Sequence, residues 1–200
     1  MARKLRVWFP NAMYHITNRG VRKMIIFYDE KDYLKYLELL EDTRDRYPFI
    51  LHSYCLMTNH IHLQLQTLTD PISKIMKYIN TIYAKYFNNR HDLVGHIFQS
   101  RYGSELIDSR QYELDVSKYI HLNPVEAHMV KKAEDYRWSS YRAYIYHEYN
   151  PHVCTEKILS YFPKPSSYHY QQFTEQRDKL KEPPEVIRPF VIQKQDHLNV

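Results

Sequence analysis

The stretch Asn59-His60-Ile61-His62-Leu63-Gln64-Leu65-Gln66 alternates polar and apolar residues without a break, and no other feature constrains the fold as much. In an extended strand residues two apart share a face, so Ile61, Leu63 and Leu65 turn into a core while His60 and His62 face the other way. One-sided burial of this kind belongs to an antiparallel sheet with a wet face. Phe49 to Met57 is a second strand-forming run, and only Thr58-Asn59 separates it from the strand Ile61 to Gln66. The two runs therefore pair as a hairpin.

The rest of the chain supplies partners for that hairpin. Met13 to Asn18 reads as a strand ending in the turn Asn18-Arg19-Gly20. Asp32 to Arg46 places Leu34, Leu37 and Leu40, with Tyr33 and Tyr36, at helical spacing, and Pro48 ends that helix. Pro71 stands where a first-turn proline belongs, before a stripe of Ile72, Ile75, Met76, Ile79, Ile82, Tyr83 and Tyr86. Lys74, Lys77 and Lys85 lie off the stripe, on a solvated face. Ser100 to Ile107 reads as a fourth strand, and Ser109 caps a third helix from Arg110 to Asn123 that Pro124 stops.

Strand, helix, two strands, helix, strand and a further helix is too sparse an alternation for a doubly wound parallel sheet. It predicts an α+β fold: a ferredoxin-like four-stranded antiparallel sheet with helices on one face and one additional helix. This unit is expected to span residues 1–149. Residues 150–200 hold six of the ten prolines and are read as a proline-rich C-terminal extension, extended except for one short helix around Tyr170 to Lys181.

Composition narrows the function. The three glycines, Gly20, Gly95 and Gly103, are too few and too scattered for a phosphate-binding loop or a dinucleotide fingerprint. Cys55 and Cys154 form no Cys-x-x-Cys pair, which points to a reducing, cytoplasmic setting and away from a zinc ribbon. No window is apolar enough for a membrane span, and Met1 to Pro10 lacks the apolar core of a signal peptide, so an unprocessed protein with no membrane partner is expected. The net charge of +5 favours a polyanionic partner, and the twenty tyrosines offer flat faces for unpaired bases as well as ordinary packing.

The chemistry rests on four residues. His60 and His62 project side by side from one strand face, roughly 7 Å apart at their backbones. Neutral imidazoles so placed suit a divalent cation, although an isolated His-x-His on a strand is most often two surface histidines. Tyr119 and Asn123 stand four apart on the third helix and so share a face, about 6 Å apart along its axis. His15, His52 and His121 have no partner at ligand spacing and are read as structural. The segment Tyr136 to Tyr146, with Trp138 and Arg142, is read as packing.

Four segments in order carry a resemblance to a known family. They are Tyr54-Cys55-Leu56-Met57-Thr58-Asn59-His60-Ile61-His62-Leu63, Phe98-Gln99-Ser100-Arg101-Tyr102, Tyr119-Ile120-His121-Leu122-Asn123-Pro124-Val125, and Tyr136-Arg137-Trp138-Ser139-Ser140-Tyr141-Arg142. The sequence resembles the single-tyrosine HUH transposases, in particular the REP-associated tyrosine transposases. The resemblance implies that His60, His62 and Asn123 hold Mg²⁺ or Mn²⁺ and that Tyr119 is the nucleophile. It implies a 5′-phosphotyrosine intermediate on single-stranded DNA beside a hairpin, in a monomer or a homodimer. Two departures stand out: Thr58 where the family has proline, and Glu126-Ala127-His128 where Arg-Ala-Gly is more usual.

Arg19, Arg22, Lys23 and Arg101 are the candidate DNA contacts. Two other classes remain open on sequence alone: a domesticated DNA- or RNA-binding module without chemistry, and a metal-dependent hydrolase with Tyr119 as a bystander.

Overall fold

The computed structural model describes residues 7–176. Strand β1 (Met13–Arg19) leads through a single 3₁₀ turn at Val21–Lys23 to helix α1 (Glu30–Arg46). The hairpin β2 (Phe49–Met57) and β3 (His60–Thr67) follows, then helix α2 (Ile72–His91), strand β4 (Gly103–Ile107) and helix α3 (Arg110–Glu126). A second 3₁₀ turn at Ala133–Asp135 and three short helices, α4 (Tyr141–Ile145), α5 (Glu156–Leu159) and α6 (Ser166–Glu175), complete the described chain.

The sheet order is β2-β3-β1-β4 and every pairing is antiparallel, the expected ferredoxin-like topology. The β1-α1-β2 and β3-α2-β4 connections each skip one strand, so both helices fall on the same face. There they cover Tyr14, Ile16, Leu56, Ile61, Leu63 and Leu65 with Tyr36, Leu40, Ile75, Ile79 and Tyr83, all buried. Each such aliphatic side chain contributes about 1.5–3 kcal/mol by leaving water, which makes this the main core. The opposite face receives α3, which packs on β2 and β3. Among the described residues no helix is long and apolar enough to cross a membrane.

Three elements depart from the sequence reading. Helix α3 does not stop at Pro124 but carries it inside its last turn. The proline deletes one intrahelical donor at a place where few turns remain to lose, and the Ala127 and Met129 amides still bond the carbonyls of Asn123 and Pro124, each at 2.9 Å. Strand β4 begins at Gly103, so Arg101 precedes it rather than lying on it. An isolated bridge already joins Gly20 to Phe98, but three steps from Gly20 to Thr17 are matched by five from Phe98 to Gly103, and the surplus pushes 100–102 out of the ladder.

Residues 150–176 are not extended. Helices α5 and α6 fold back so that Ile158, Leu159 and Tyr170 join Tyr141 and Tyr144 in a separate small core beside α3. The expected helix starts at Ser166, four residues earlier than read, and the part of it beyond residue 176 lies outside the described residues. The segment containing Trp138 packs as expected: its ring stacks on Tyr33 at 4.3 Å, and Tyr136, Tyr141 and Tyr144 are buried.

Candidate metal and nucleophile site

The α3 face of the sheet is built from the residues that alternate with the main core. On β1 these are Met13, His15, Thr17 and Arg19, on β2 Cys55 and Met57, and on β3 His60, His62 and Gln64. Strand β3 lies between β1 and β2, with Thr17 and Cys55 flanking His62 and with Arg19 and Met57 flanking His60. Both imidazoles therefore rise from an interior strand, held in register on either side. Val116, Tyr119 and Ile120 of α3 seat on Met13, Cys55, Met57 and Ile107. Gln64 fixes the helix along its axis, accepting from Ser53 Oγ at 2.8 Å and donating to the Glu113 carbonyl at 3.0 Å.

This seating brings His60, His62, Tyr119 and Asn123 of one chain together. The rings of His60 and His62 are 4.9 Å apart and nearly perpendicular, and the Tyr119 ring meets His62 edge-on at 5.3 Å. His60 Nε2 is 3.2 Å from Asn123 Oδ1. Its other nitrogen, Nδ1, is 2.6 Å from Asn59 Oδ1, and Asn59 is oriented by its Nδ2 donating to the Lys23 carbonyl at 3.2 Å. Each nitrogen of His60 thus faces an amide oxygen, and a neutral ring has one proton for the two, so only one of the contacts is a hydrogen bond at a time. Burial pushes the His60 pKa down to about 4, with the Arg19 charge adding to the shift against the Asn123 contact, so the ring is neutral at pH 7. With the proton on Nδ1, at the shorter of the two contacts, Nε2 would be a lone pair turned toward the Asn123 oxygen.

His62 repeats the pattern. Burial holds its pKa well below the ordinary value, helped by His60 and His15 alongside. Its Nδ1 is 3.0 Å from His15 Nε2, and its Nε2 is buried without any hydrogen-bond partner. The buried His62 Nε2 without a partner, beside His60 and Asn123, fits a cation. Among the described residues no group of three or more His, Cys, Asp or Glu is arranged to hold a metal ion, and the further oxygen beside the two imidazoles is the Asn123 amide. His60, His62 and Asn123 could together hold a divalent cation and would leave room on it for other oxygen ligands.

Tyr119 is a neutral phenol in this setting. Burial raises its pKa to about 12, the Asn123 amide opposes that rise, and Cys55 and Glu126 add to it. The basic candidates gather at one end of the sheet. Arg19 pairs with His60 in register, and burial lowers its pKa. Arg22 and Lys23 are exposed on the turn whose backbone orients Asn59, both at positive φ (51° and 65°). Gly20 opens that turn because a Cβ there would collide with the Met24 carbonyl. Arg101 is exposed in the outward bulge before β4.

Sequence reasoning missed His15 and Asn59. His15 was expected to be merely structural, yet it bonds His62 and its ring lies edge-on to Tyr119 at 5.7 Å. The signal is weak: only the register of β1 on β3 brings His15 diagonally next to His62, and no local spacing encodes that register. Asn59, adjacent to His60, was legible in principle. The other two histidines are structural as read: His52 bonds Gln66 at 2.9 Å, and His121 is tied on both nitrogens to Tyr170 and Ser140.

A four-stranded antiparallel sheet with two helices on one face and a further helix on the other is a fold seen in solved structures. The structure of a REP-associated tyrosine transposase bound to a REP hairpin superposes with a TM-score of 0.63 at 18% identity, covering 79% of this chain and 93% of that one. A candidate transposase from Deinococcus radiodurans R1 is 19% identical over 55% of this chain and 89% of its own, but with a TM-score of 0.41 it bears no weight. No curated protein matches the sequence. The family model for IS200-like transposases matches residues 9–123, more than half of the chain, and takes in all four residues of the site. The protein belongs to the IS200-like transposase family.

Proposed function

We propose that the protein is a single-strand DNA transposase and endonuclease that cleaves and rejoins DNA beside a hairpin through a 5′-phosphotyrosine at Tyr119. The carrying observation is the gathering of the His60 and His62 rings, the Asn123 oxygen and the Tyr119 ring at one place, with His62 Nε2 unpartnered. His60, His62 and Asn123 would hold Mg²⁺ or Mn²⁺, which when bound supplies charge to a non-bridging phosphate oxygen. The relative whose solved structure holds a REP hairpin supports a hairpin as the DNA partner.

The residues themselves divide the work. Tyr119 oxygen attacks phosphorus, a P–O bond forms to the phenol, the P–O3′ bond breaks, and the departing oxygen becomes a 3′-hydroxyl by gaining a proton equivalent to the one the phenol loses. The phosphoester is conserved, so a 3′-hydroxyl of another strand reverses the step without a nucleotide cofactor. With a phenol pKa of about 12, attack depends on removing that proton in the complex, and the Asn123 amide is the neighbour that favours the phenolate. Seating of the phenol against His62 and His15 limits its freedom and supports an in-line approach. Arg19, Arg22, Lys23 and Arg101 are assigned to the DNA backbone flanking the reacting phosphate.

The test incubates the purified protein and a Tyr119→Phe variant with Mn²⁺ and an end-labelled single strand flanked by a hairpin. The wild type is expected to yield a protein-linked DNA band, and Tyr119→Phe to bind DNA with no band. Free cleaved ends without adduct would identify a hydrolase, and binding alone a non-catalytic module. Undiminished adduct in Tyr119→Phe removes that residue from the role.

A further inference from the structure

We propose that His15 is a positioning residue: it holds His62 in the tautomer with the proton on Nδ1, so that the Nε2 lone pair is presented to a divalent cation. The inference rests on the metal reading above and names a residue outside the donor set. His15 Nε2 and His62 Nδ1 lie 3.0 Å apart between rings stacked at 5.3 Å and 20°, both fully enclosed. One proton occupies that contact, and there are two ways to place it. With His15 as donor, His62 would carry its own hydrogen on Nε2, a buried nitrogen with no acceptor within reach. With His62 as donor, Nε2 is a bare lone pair that a cation can take, as is His60 Nε2 when its proton sits on the Nδ1 that faces Asn59. Only the second assignment makes both imidazoles ligands at once.

The arrangement has the form of an outer partner orienting a metal-binding histidine, with a third histidine in the place usually taken by a carboxylate or carbonyl. An imidazole acceptor leaves the site without an added negative charge next to Tyr119, whose phenolate a carboxylate at this place would oppose.

Two measurements decide. Long-range ¹H–¹⁵N correlation on metal-free protein labelled in histidine, with the His62 signals assigned by their loss in His62→Gln, is expected to show His62 as the Nδ1–H tautomer. Mn²⁺ titration followed by electron paramagnetic resonance is expected to show about 10–100-fold weaker binding for His15→Leu. His15→Gln, whose side-chain oxygen replaces the acceptor, should stay within a few-fold of wild type. A wild-type His62 protonated on Nε2 overturns the proposal, and that result needs no variant should His15→Leu fail to fold. Wild-type binding in folded His15→Leu overturns it too, leaving the metal reading intact. No Mn²⁺ binding by the wild type sinks the metal reading and this one with it.

Discussion

Asn123 faces two chemistries at once. Its oxygen is 3.2 Å from His60 Nε2, and its amide counters the upward push of burial on the Tyr119 pKa. Asn123→Asp separates these roles, because a carboxylate is a harder and charged donor for a cation but a like charge beside a forming phenolate. Mn²⁺ affinity should rise by about tenfold as Coulomb attraction is added, while adduct formation slows. Calorimetric titration and single-turnover labelling measure the two, and a variant with unchanged affinity would remove Asn123 from the donor set. At this scale the sequence was informative wherever chemistry follows local period. His60 and His62 share a face because strands repeat every two residues, and Tyr119 and Asn123 because helices repeat in near-fours. His15 was illegible for the opposite reason: it lies 47 residues from His62 and meets it through the pairing of two strands.

The element that matters most is α3, which carries both helix-borne site residues on one side and a buried polar network on the other. His121 Nδ1 is 2.6 Å from Tyr170 Oη, which also bonds Ser117 Oγ at 2.7 Å, and His121 Nε2 is 2.8 Å from Ser140 Oγ. Tyr170 belongs to α6, so the segment after residue 150 braces the helix from behind. Lys157 and Tyr161 reinforce the brace by donating to Glu113 at 2.9 and 2.7 Å. Tyr170→Phe keeps the ring but removes the hydroxyl, leaving His121 Nδ1 buried and unpaired at a cost of about 1–3 kcal/mol. Urea denaturation should show that loss with Mn²⁺ affinity preserved, and an unfolding free energy equal to wild type would mean the brace is packing alone. The strands and first two helices were legible because their apolar periods are strong; β2 falls at the expected residues. The run after residue 150 was not, since its prolines argue against long elements yet are compatible with two short helices that gain their stability from tertiary contacts.

Across the whole molecule, tyrosine and histidine do work that composition could not assign. Tyr14, Tyr36, Tyr83, Tyr141, Tyr144 and Tyr170 are among the largest fully buried side chains, so much of the aromatic excess is core rather than a platform for bases. Burying that many polar-tipped residues carries histidines inside as well. His15 and His121 are each pushed down to about 3 and His60 to about 4, all chiefly by burial. An unfolded histidine titrates near 6.5, so above that pH both states are neutral and these groups do not affect stability. Below it the unfolded chain takes up protons that the folded chain refuses; the unfolded state then binds more protons, and stability falls as pH falls from about 6.5 toward 3–4. Each such histidine contributes a slope of up to about 1.4 kcal/mol per pH unit, and together they make the fold acid-labile well above the carboxylate range. Urea midpoints at pH 7.5, 6.5, 5.5 and 4.5 should decline with increasing steepness at nearly constant m-value. Midpoints that stay level down to pH 4.5 would mean the interior admits these protons, and the neutral state of His15, His60 and His121 would be lost.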